Sequence, residues 1–326
     1  MAAPGETWLE DVVHLDWGPL SLHTHAAVIN TRLSYTPGRL GALPGGQSEI
    51  LLAVSHTNLW GDAPGYFLDM EMMRASFRFH HGLGDGWEID AELGLLWRGG
   101  GFLDEFIEGF HSLLGITQAR RDNFARNQLN FTTRDSRGAI RWLDSSNEGL
   151  GMANPVIGIR KELISQLRGR PGLTVGAHIK LPFGDRNMNI GLATGGWDFL
   201  VDVGLQLPIA DPLQLFVVLG FIMSPGDDEA LGIPTREFQT VFLIGFEWRI
   251  GVNVSFVFHF LRHDGVALPG NNEPLDLATH EFLGGFKWAP GRTDNLVLEF
   301  GVIENSIHDA NTPDFGFHLA ARIRLR

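Results

Sequence analysis

Strict alternation of apolar and polar residues, strands of unusual length and an uneven set of connections predict the fold class. The chain reads as all-β: a transmembrane antiparallel β-barrel of about twelve strands, with one long loop containing a short amphipathic helix. The alternation begins near residue 48. Val252, Val254, Phe256, Phe258 and Phe260 share one face, while Asn253, Ser255 and His259 share the other. Trp87, Ile89, Ala91, Leu93, Leu95 and Trp97 likewise lie opposite Glu88, Asp90, Glu92 and Arg98. Phe315, Phe317, Leu319, Ala321, Ile323 and Leu325 lie opposite His318, Arg322, Arg324 and Arg326.

The segments in chain order are 48–60, 66–81, 86–98, 153–164, 172–183, 196–208, 212–223, 236–249, 251–262, 277–289, 294–304 and 314–326. At about 11–16 residues each they exceed the ~5–6 of an average strand. They reach the ~9–11 tilted residues that cross a bilayer. From the second odd-numbered connection onward, odd connections are long and even ones short, as in outer-membrane barrels with long outer loops and short periplasmic turns. Trp87 and Trp97 lie ten residues apart on one face. At ~3.4 Å per residue and a tilt near 45°, they stand about 24 Å apart in height, close to the ~25 Å between the aromatic girdles of such barrels. Trp60, Trp97 and Trp197 fall at the long-loop end, and Trp87, Trp248 and Trp288 at the short-turn end. Alternation alone also suits a soluble sandwich or propeller. Strand length, loop asymmetry and the two tryptophan rings select the membrane barrel.

Composition narrows the function. The 326 residues include no cysteine, so neither a disulfide nor a Cys-ligated metal site can form. A net charge of −13 disfavours nucleic-acid binding. With 23 Phe and 9 Trp the chain can bury a large area, which argues against disorder. No apolar run is long enough for a transmembrane helix. The first residues show no basic-then-apolar leader, so a signal for export is expected upstream of them or already removed. A mean hydropathy of +0.01 conceals an apolar and a charged surface interleaved residue by residue.

Residues 1–47 are less regular and read as an N-terminal arm, either periplasmic or entering the lumen; the barrel is 48–326. The inward faces carry the candidate lumen lining: Arg74, Arg78, Glu88, Asp90, Glu92, Asp198, Asp202, Glu247, Glu281, Lys287, Glu299, His318, Arg322 and Arg324, joined by His80, Arg160, His178 and Lys180. A basic group facing lipid at mid-depth costs about 2–4 kcal/mol, which forces these residues inward. They suit either a polar channel or a salt-bridged interior that keeps the barrel rigid. Inward glycines, among them Gly204, Gly285 and Gly301, relieve crowding or permit curvature.

The loop from residue 99 to 153 is too long for a bare connector. Phe102, Leu103, Phe106, Ile107, Phe110, Leu113 and Leu114 follow helical spacing, with Asp104, Glu105 and Glu108 elsewhere on the wheel. Arg120 and Arg121 follow, then a hairpin around 135–138. With Phe102, Phe106, Phe110, Arg120 and Arg121 as its working residues, this loop is either a constriction folded into the lumen or a cap on the rim. The run Gly99-Gly-Gly-Phe-Leu-Asp-Glu-Phe-Ile-Glu-Gly-Phe-His-Ser-Leu-Leu-Gly with Arg120 and Arg121 resembles a motif of an uncharacterised proteobacterial domain-of-unknown-function family. Trp17-Gly-Pro-Leu and His80-His81-Gly82 are similar as well. The resemblance implies an outer-membrane barrel of about this length and carries over no activity and no catalytic residue.

Enzymatic signals are weak. Ser55 and His56 point to opposite faces of a strand and cannot pair with each other, which leaves an outer-membrane hydrolase as a remote reading. His23 with His25, and His80 with His81, lack a third metal ligand. Acids of the long loops, among them Asp227, Asp228, Glu229, Asp264, Asp276, Asp309 and Asp314, suit either a solvated surface or divalent-cation bridges to lipopolysaccharide. The expectation is a passive channel or transporter for small polar or amphipathic solutes in a bacterial outer membrane, with both termini periplasmic. The alternative is a closed structural or interaction barrel. The partners foreseen are outer-membrane lipid, lipopolysaccharide, small solutes and other envelope proteins, with no metal, cofactor, nucleic acid or catalytic activity.

Overall fold

A computed structural model describes residues 17–325 apart from 116–120, 135–139, 167–169, 185–194, 226–233, 271–272, 292–294 and 305–309, and apart from the side chains of 110, 111, 113, 114, 122 and 140–142. The strands are β1 (Ser48–Ala63), β2 (Tyr66–Gly84), β3 (Trp87–Gly99), β4 (Asn130–Arg134), β5 (Ile140–Leu143), β6 (Gly149–Met152), β7 (Val156–Ile164), β8 (Gly172–Lys180), β9 (Asp198–Ala210), β10 (Leu213–Met223), β11 (Phe238–Arg249), β12 (Val254–His263), β13 (Thr279–Trp288), β14 (Leu296–Glu304) and β15 (Pro313–Leu325). Helix α1 spans Asp104–Leu114 and the one-turn α2 spans Glu273–Asp276.

Twelve strands close the barrel, every neighbouring pair antiparallel; β4, β5 and β6 belong to the long connection. Closure runs through β1 and β15, with Ser48 opposite Leu325 and His56 opposite Phe317. Beside β3 the wall is broken in two: β7 pairs with its short-turn half and β6 with Leu95–Arg98. The break falls at Ala153–Pro155, where Pro155 has no N–H to offer a ladder. Two strands run longer than the alternation suggests. Leu59–Ala63 pairs with Tyr66–Met70, carrying the β1–β2 hairpin beyond the barrel rim. There β4 replaces β3 as the neighbour of β2.

The outward faces form an apolar belt. Leu52, Val54, Leu93, Leu95, Val201, Phe221 and Leu319 are exposed, and Trp87, Trp197, Trp248 and Trp288 mark its rims. This is the surface a bilayer demands of a barrel. The inward faces are not uniformly charged. Along β10, β11 and β12 the inward residues Phe216, Val218, Ile222, Val241, Leu243, Val257 and Leu261 are apolar, so this sector is apolar on both sides.

The reason is residues 17–43, which lie inside the barrel. Trp17 sits at the short-turn end near Glu247, a single 3-10 turn at Ile29–Thr31 lies near the loop end, and the chain returns to Gly46, which bonds to Gly82. Leu20, Leu22, Leu33, Tyr35 and Leu40 of this arm pack against the apolar sector. Ala26–Ile29 meet Met70, Met72 and Leu96 of the wall. They also meet Phe131 of β4 and Val266, Ala267 and Leu275 of the connection after β12, which roof the loop end. Gly285 and Gly301 leave the seat for Leu20: a Cβ at either position would stand 3.0 or 2.8 Å from its Cδ1. Replacing Gly301 with leucine should therefore expel this part of the arm. Trypsin cleavage at Arg32 and Arg39 should accelerate while the heat-modifiable gel mobility of the barrel persists. Cleavage as slow as in the parent would show that the seat is not filled.

Candidate functional site

The arm has no strand to pair with, because each barrel strand already has two neighbours. Its backbone groups must find other partners inside a space closed to bulk water. The stretch from Trp17 to Thr31 contains no Asp, Glu, Lys or Arg, so the charges come from the wall.

At the short-turn end Glu247 accepts from the backbone N–H of Trp17 (3.1 Å) and Gly18 (3.0 Å), and from Ser255 Oγ. Glu299 accepts from Ser21 through N (2.8 Å) and Oγ (2.7 Å) and pairs with Lys287 (3.1 Å) and Arg322 (3.2 Å). His318 Nε2 lies 3.5 Å from the same carboxylate. Lys287 donates onward to the carbonyls of Trp17 (3.0 Å) and Pro19 (2.7 Å). Glu49 closes this cluster by pairing with Arg322 and Arg324.

Midway, Glu281 accepts from Thr24 Oγ1 and from the N–H of His25. His25 Nε2 meets Ser55 Oγ at 2.7 Å, and its Nδ1 meets the carbonyl of His23 at 2.8 Å. On the returning limb Asp198 accepts from Leu33 N (2.8 Å) while pairing with Lys180 (2.6 Å). Arg74 binds Asn30 Oδ1 (2.9 Å) and Glu92 (2.8 Å), and Arg78 binds Glu92 (2.9 Å) and the carbonyl of Pro37. Glu88 accepts from Leu43 N and pairs with Arg39, both at 2.7 Å, and Arg160 donates to the carbonyl of Arg39. Asp202 pairs with His178 at 3.0 Å, and Asp90 lies 3.8 Å from the same ring.

The wall charges picked out in the sequence thus meet the arm or one another, and their spacing is that of a bound strap. A cavity of about 30 Å³ remains between Leu33–Thr36 and the wall beside Arg78, Asp90, Arg160 and His178. Tyr35 OH and Asp90 Oδ1, both without a hydrogen-bond partner among the described residues, line it. It has room for about one water.

Sequence reasoning chose the wall and missed the arm's contacts. Two signals were present: the lack of charge from Trp17 to Thr31, and the alternating Leu20-Ser21-Leu22-His23 and Leu33-Ser34-Tyr35. The weak enzymatic signals find other partners. Ser55 faces the interior and His25, whereas His56 faces outward and its Nε2 is 2.7 Å from Glu71, so no hydrolase dyad forms between them. His23 and His25 turn to backbone carbonyls, and His80 and His81 diverge to Glu88 and Ser48. Among the described residues no cluster could hold a metal ion.

Of the two places expected for the long loop, its described residues take the cap and none forms a constriction in the lumen: α1 lies against the outer wall and β4 roofs the loop end. Leu103 and Ile107 pack on Phe315, Phe317 and Val302, which are outward residues of β15 and β14. Phe106 contacts Phe315 and Phe317, and Phe102 meets the His56 ring at 5.1 Å. Arg121, buried, joins Asp104 (3.1 Å), Asp314 (2.9 Å) and Asn58 beneath the face of Trp60. The Phe110 side chain and Arg120 lie outside the described residues. The sequence showed a helix with an apolar face but not which side of the wall it covers, and the interior is taken by the arm.

Several loop acids are engaged inside the protein. Asp264 accepts from Thr240 N (2.7 Å) and Oγ1 (2.6 Å) and pairs with Arg262 (2.9 Å). Burial pulls its pKa up, and the Thr240 bonds with Arg262 outweigh that and hold it below the usual carboxylate range. Asp276 accepts from Gly270 N, and Asp314 is held by Arg121. Asp227, Asp228, Glu229 and Asp309 lie outside the described residues.

A known structure shares this architecture. The COG4313 outer membrane channel from Pseudomonas putida F1 superposes with a TM-score of 0.60 at 12% identity, covering 90% of this chain and 100% of that one. The NanC porin gives a TM-score of 0.46 at 7% identity, with coverage of 85% and 99%. The KdgM porin gives 0.43 at 6%, with the same coverage. At 12% identity the likeness to the COG4313 channel is one of fold. No curated protein matches the sequence. The family described as "Protein of unknown function (DUF3187)" matches residues 6–325, and the chain belongs to it.

Proposed function

We propose that the protein is a passive outer-membrane channel or transporter for small polar or amphipathic solutes, held closed by its own N-terminal arm. In this reading the long loops face the exterior, while the termini and short turns face the periplasm. Outer-membrane lipid and lipopolysaccharide surround the belt. The observation that carries it is that the arm is no part of the sheet: twelve strands close without it through β1 and β15. Removing it would leave a complete barrel with charged residues facing a hydrated lumen.

Magnitudes say what holds the gate. Most polar bonds from wall to arm involve a charged group and are worth about 1.5–3 kcal/mol each net, because water replaces them on opening. Each fully buried leucine contributes about 1.5–3 kcal/mol. Leu20, Leu22, Leu33 and Leu40 therefore share the holding of the closed state with the charged groups, which also set its register. The same apolar seam favours the second reading, a permanently closed structural barrel.

Conductance in planar bilayers separates the two. A barrel lacking residues 17–43 should pass steady current. The full chain should be closed or flicker, and linking cysteines placed at His25 and Ser55 with a short thiol-reactive bridge should abolish the flicker. A shortened barrel that is heat-modifiable yet carries no current would establish the structural reading. Glu299→Gln leaves Lys287 and Arg322 facing each other without their shared carboxylate, an effect of about 3–5 kcal/mol for a broken buried pair. Its thermal midpoint should drop and its open fraction rise; an unchanged midpoint and conductance would contradict the role given to Glu299.

A further inference from the structure

The outer wall near the loop end is polar where lipid would otherwise touch it. His56 and Asn58 of β1 and Asp69 and Glu71 of β2 occupy outward positions, yet Asn58, Asp69 and Glu71 are buried. The segment leading into α1 covers them. Glu71 Oε1 accepts from the N–H of Phe102 (2.7 Å) and Leu103. The turn carrying those donors passes over the carboxylate at Gly101, whose φ is +67° and whose Cβ, if present, would collide with the Glu71 side chain. The Arg121 cluster fastens the far side of the cover. The helix is therefore fixed to the wall by buried charge and does not hang from the rim.

Its height is set by strand register. Trp97 pairs with Met73, Met73 with His56, and His56 with Phe317, so one row across four strands runs through the loop-end girdle. Phe102 and Phe106 rest on that row. At about 3.6 residues per turn the described residues around α1 sort into three sectors. Leu103, Asp104 and Ile107 are buried against the wall, and Glu105 and Ser112 are exposed on the opposite side. Between them Phe102 and Phe106 are 68% and 49% exposed, beside the lipid-facing belt. Two exposed phenylalanines on a fixed element at girdle height, continuous with the belt, match one partner: acyl chains.

We propose that α1 is an in-plane helix seated in the leaflet at the loop end, with Phe102 and Phe106 inserted among the acyl chains and Glu105 at the headgroup level. The inference rests on the membrane-barrel reading and adds a lipid contact that the twelve strands do not make. Large hydrophobic side chains on one sector of a helix and polar ones on the next suit a helix that lies in a bilayer surface.

The absence of cysteine makes the test direct. Single cysteines at Phe102, Phe106, Glu105 and the belt residue Leu93, each in the full chain, carry a nitroxide. The protein is reconstituted into vesicles of phosphatidylethanolamine and phosphatidylglycerol, and collisions with oxygen and with a water-soluble nickel chelate are measured. Labels at 102, 106 and 93 should be reached mainly by oxygen, and the label at 105 mainly by nickel, with ratios several-fold apart. If 102 and 106 are as open to nickel as 105 while 93 keeps its oxygen preference, the in-plane helix is wrong and the barrel reading stands. If 93 is also nickel-accessible, the membrane reading fails and takes this inference with it.

Discussion

Irregular backbone can sit at membrane depth only where every N–H and C=O finds a partner, and that constraint organises this molecule. The barrel strands satisfy themselves by closing. The arm cannot, since none of the twelve barrel strands has a free edge. The wall therefore supplies acceptors at Glu247, Glu299, Glu281, Asp198 and Glu88, and donors at Lys287, Arg322, Arg78 and Arg160. Each such charge is itself costly inside a protein unless it is paired. The arm and the wall charges thus answer each other's desolvation, and neither is explained alone.

This changes the meaning of the inward charges. In a water-filled pore a ring of mixed charge tunes which solutes pass. Here Glu299 has its lone pairs taken by Ser21, Lys287 and Arg322, and Lys287 has its protons on Glu299 and two carbonyls. Opposite them the wall is apolar at Phe216, Leu243 and Leu261, where the arm presents leucines. Charge fixes which residue sits where, and apolar burial adds to the holding energy. A gate built this way is specific in register.

Much of the fold was legible because alternation is a local property: whether Leu93 faces lipid follows from Glu92 and Gly94 beside it. The girdle was legible from Trp87 and Trp97 because strand rise converts residue number into height. What lay beyond reach is what joins residues distant in sequence. Nothing near Glu247 announces Trp17, 230 residues away. The side of the wall taken by α1 depends on Glu71 and Asn58, which read as ordinary strand positions until Phe102 and Arg121 reach them. The apolar inward faces of β10 to β12 broke the expected pattern for the same reason, since they are written for the arm.

Backbone hydrogen exchange on the folded, reconstituted barrel tests most directly whether wall charges hold the arm inside. The amides of Trp17, Gly18, Ser21, Leu33 and Leu43, each bound to a wall carboxylate, should exchange far more slowly than in a free peptide of residues 17–43. Exchange at the free-peptide rate, with the strands of the barrel still protected, would contradict the account.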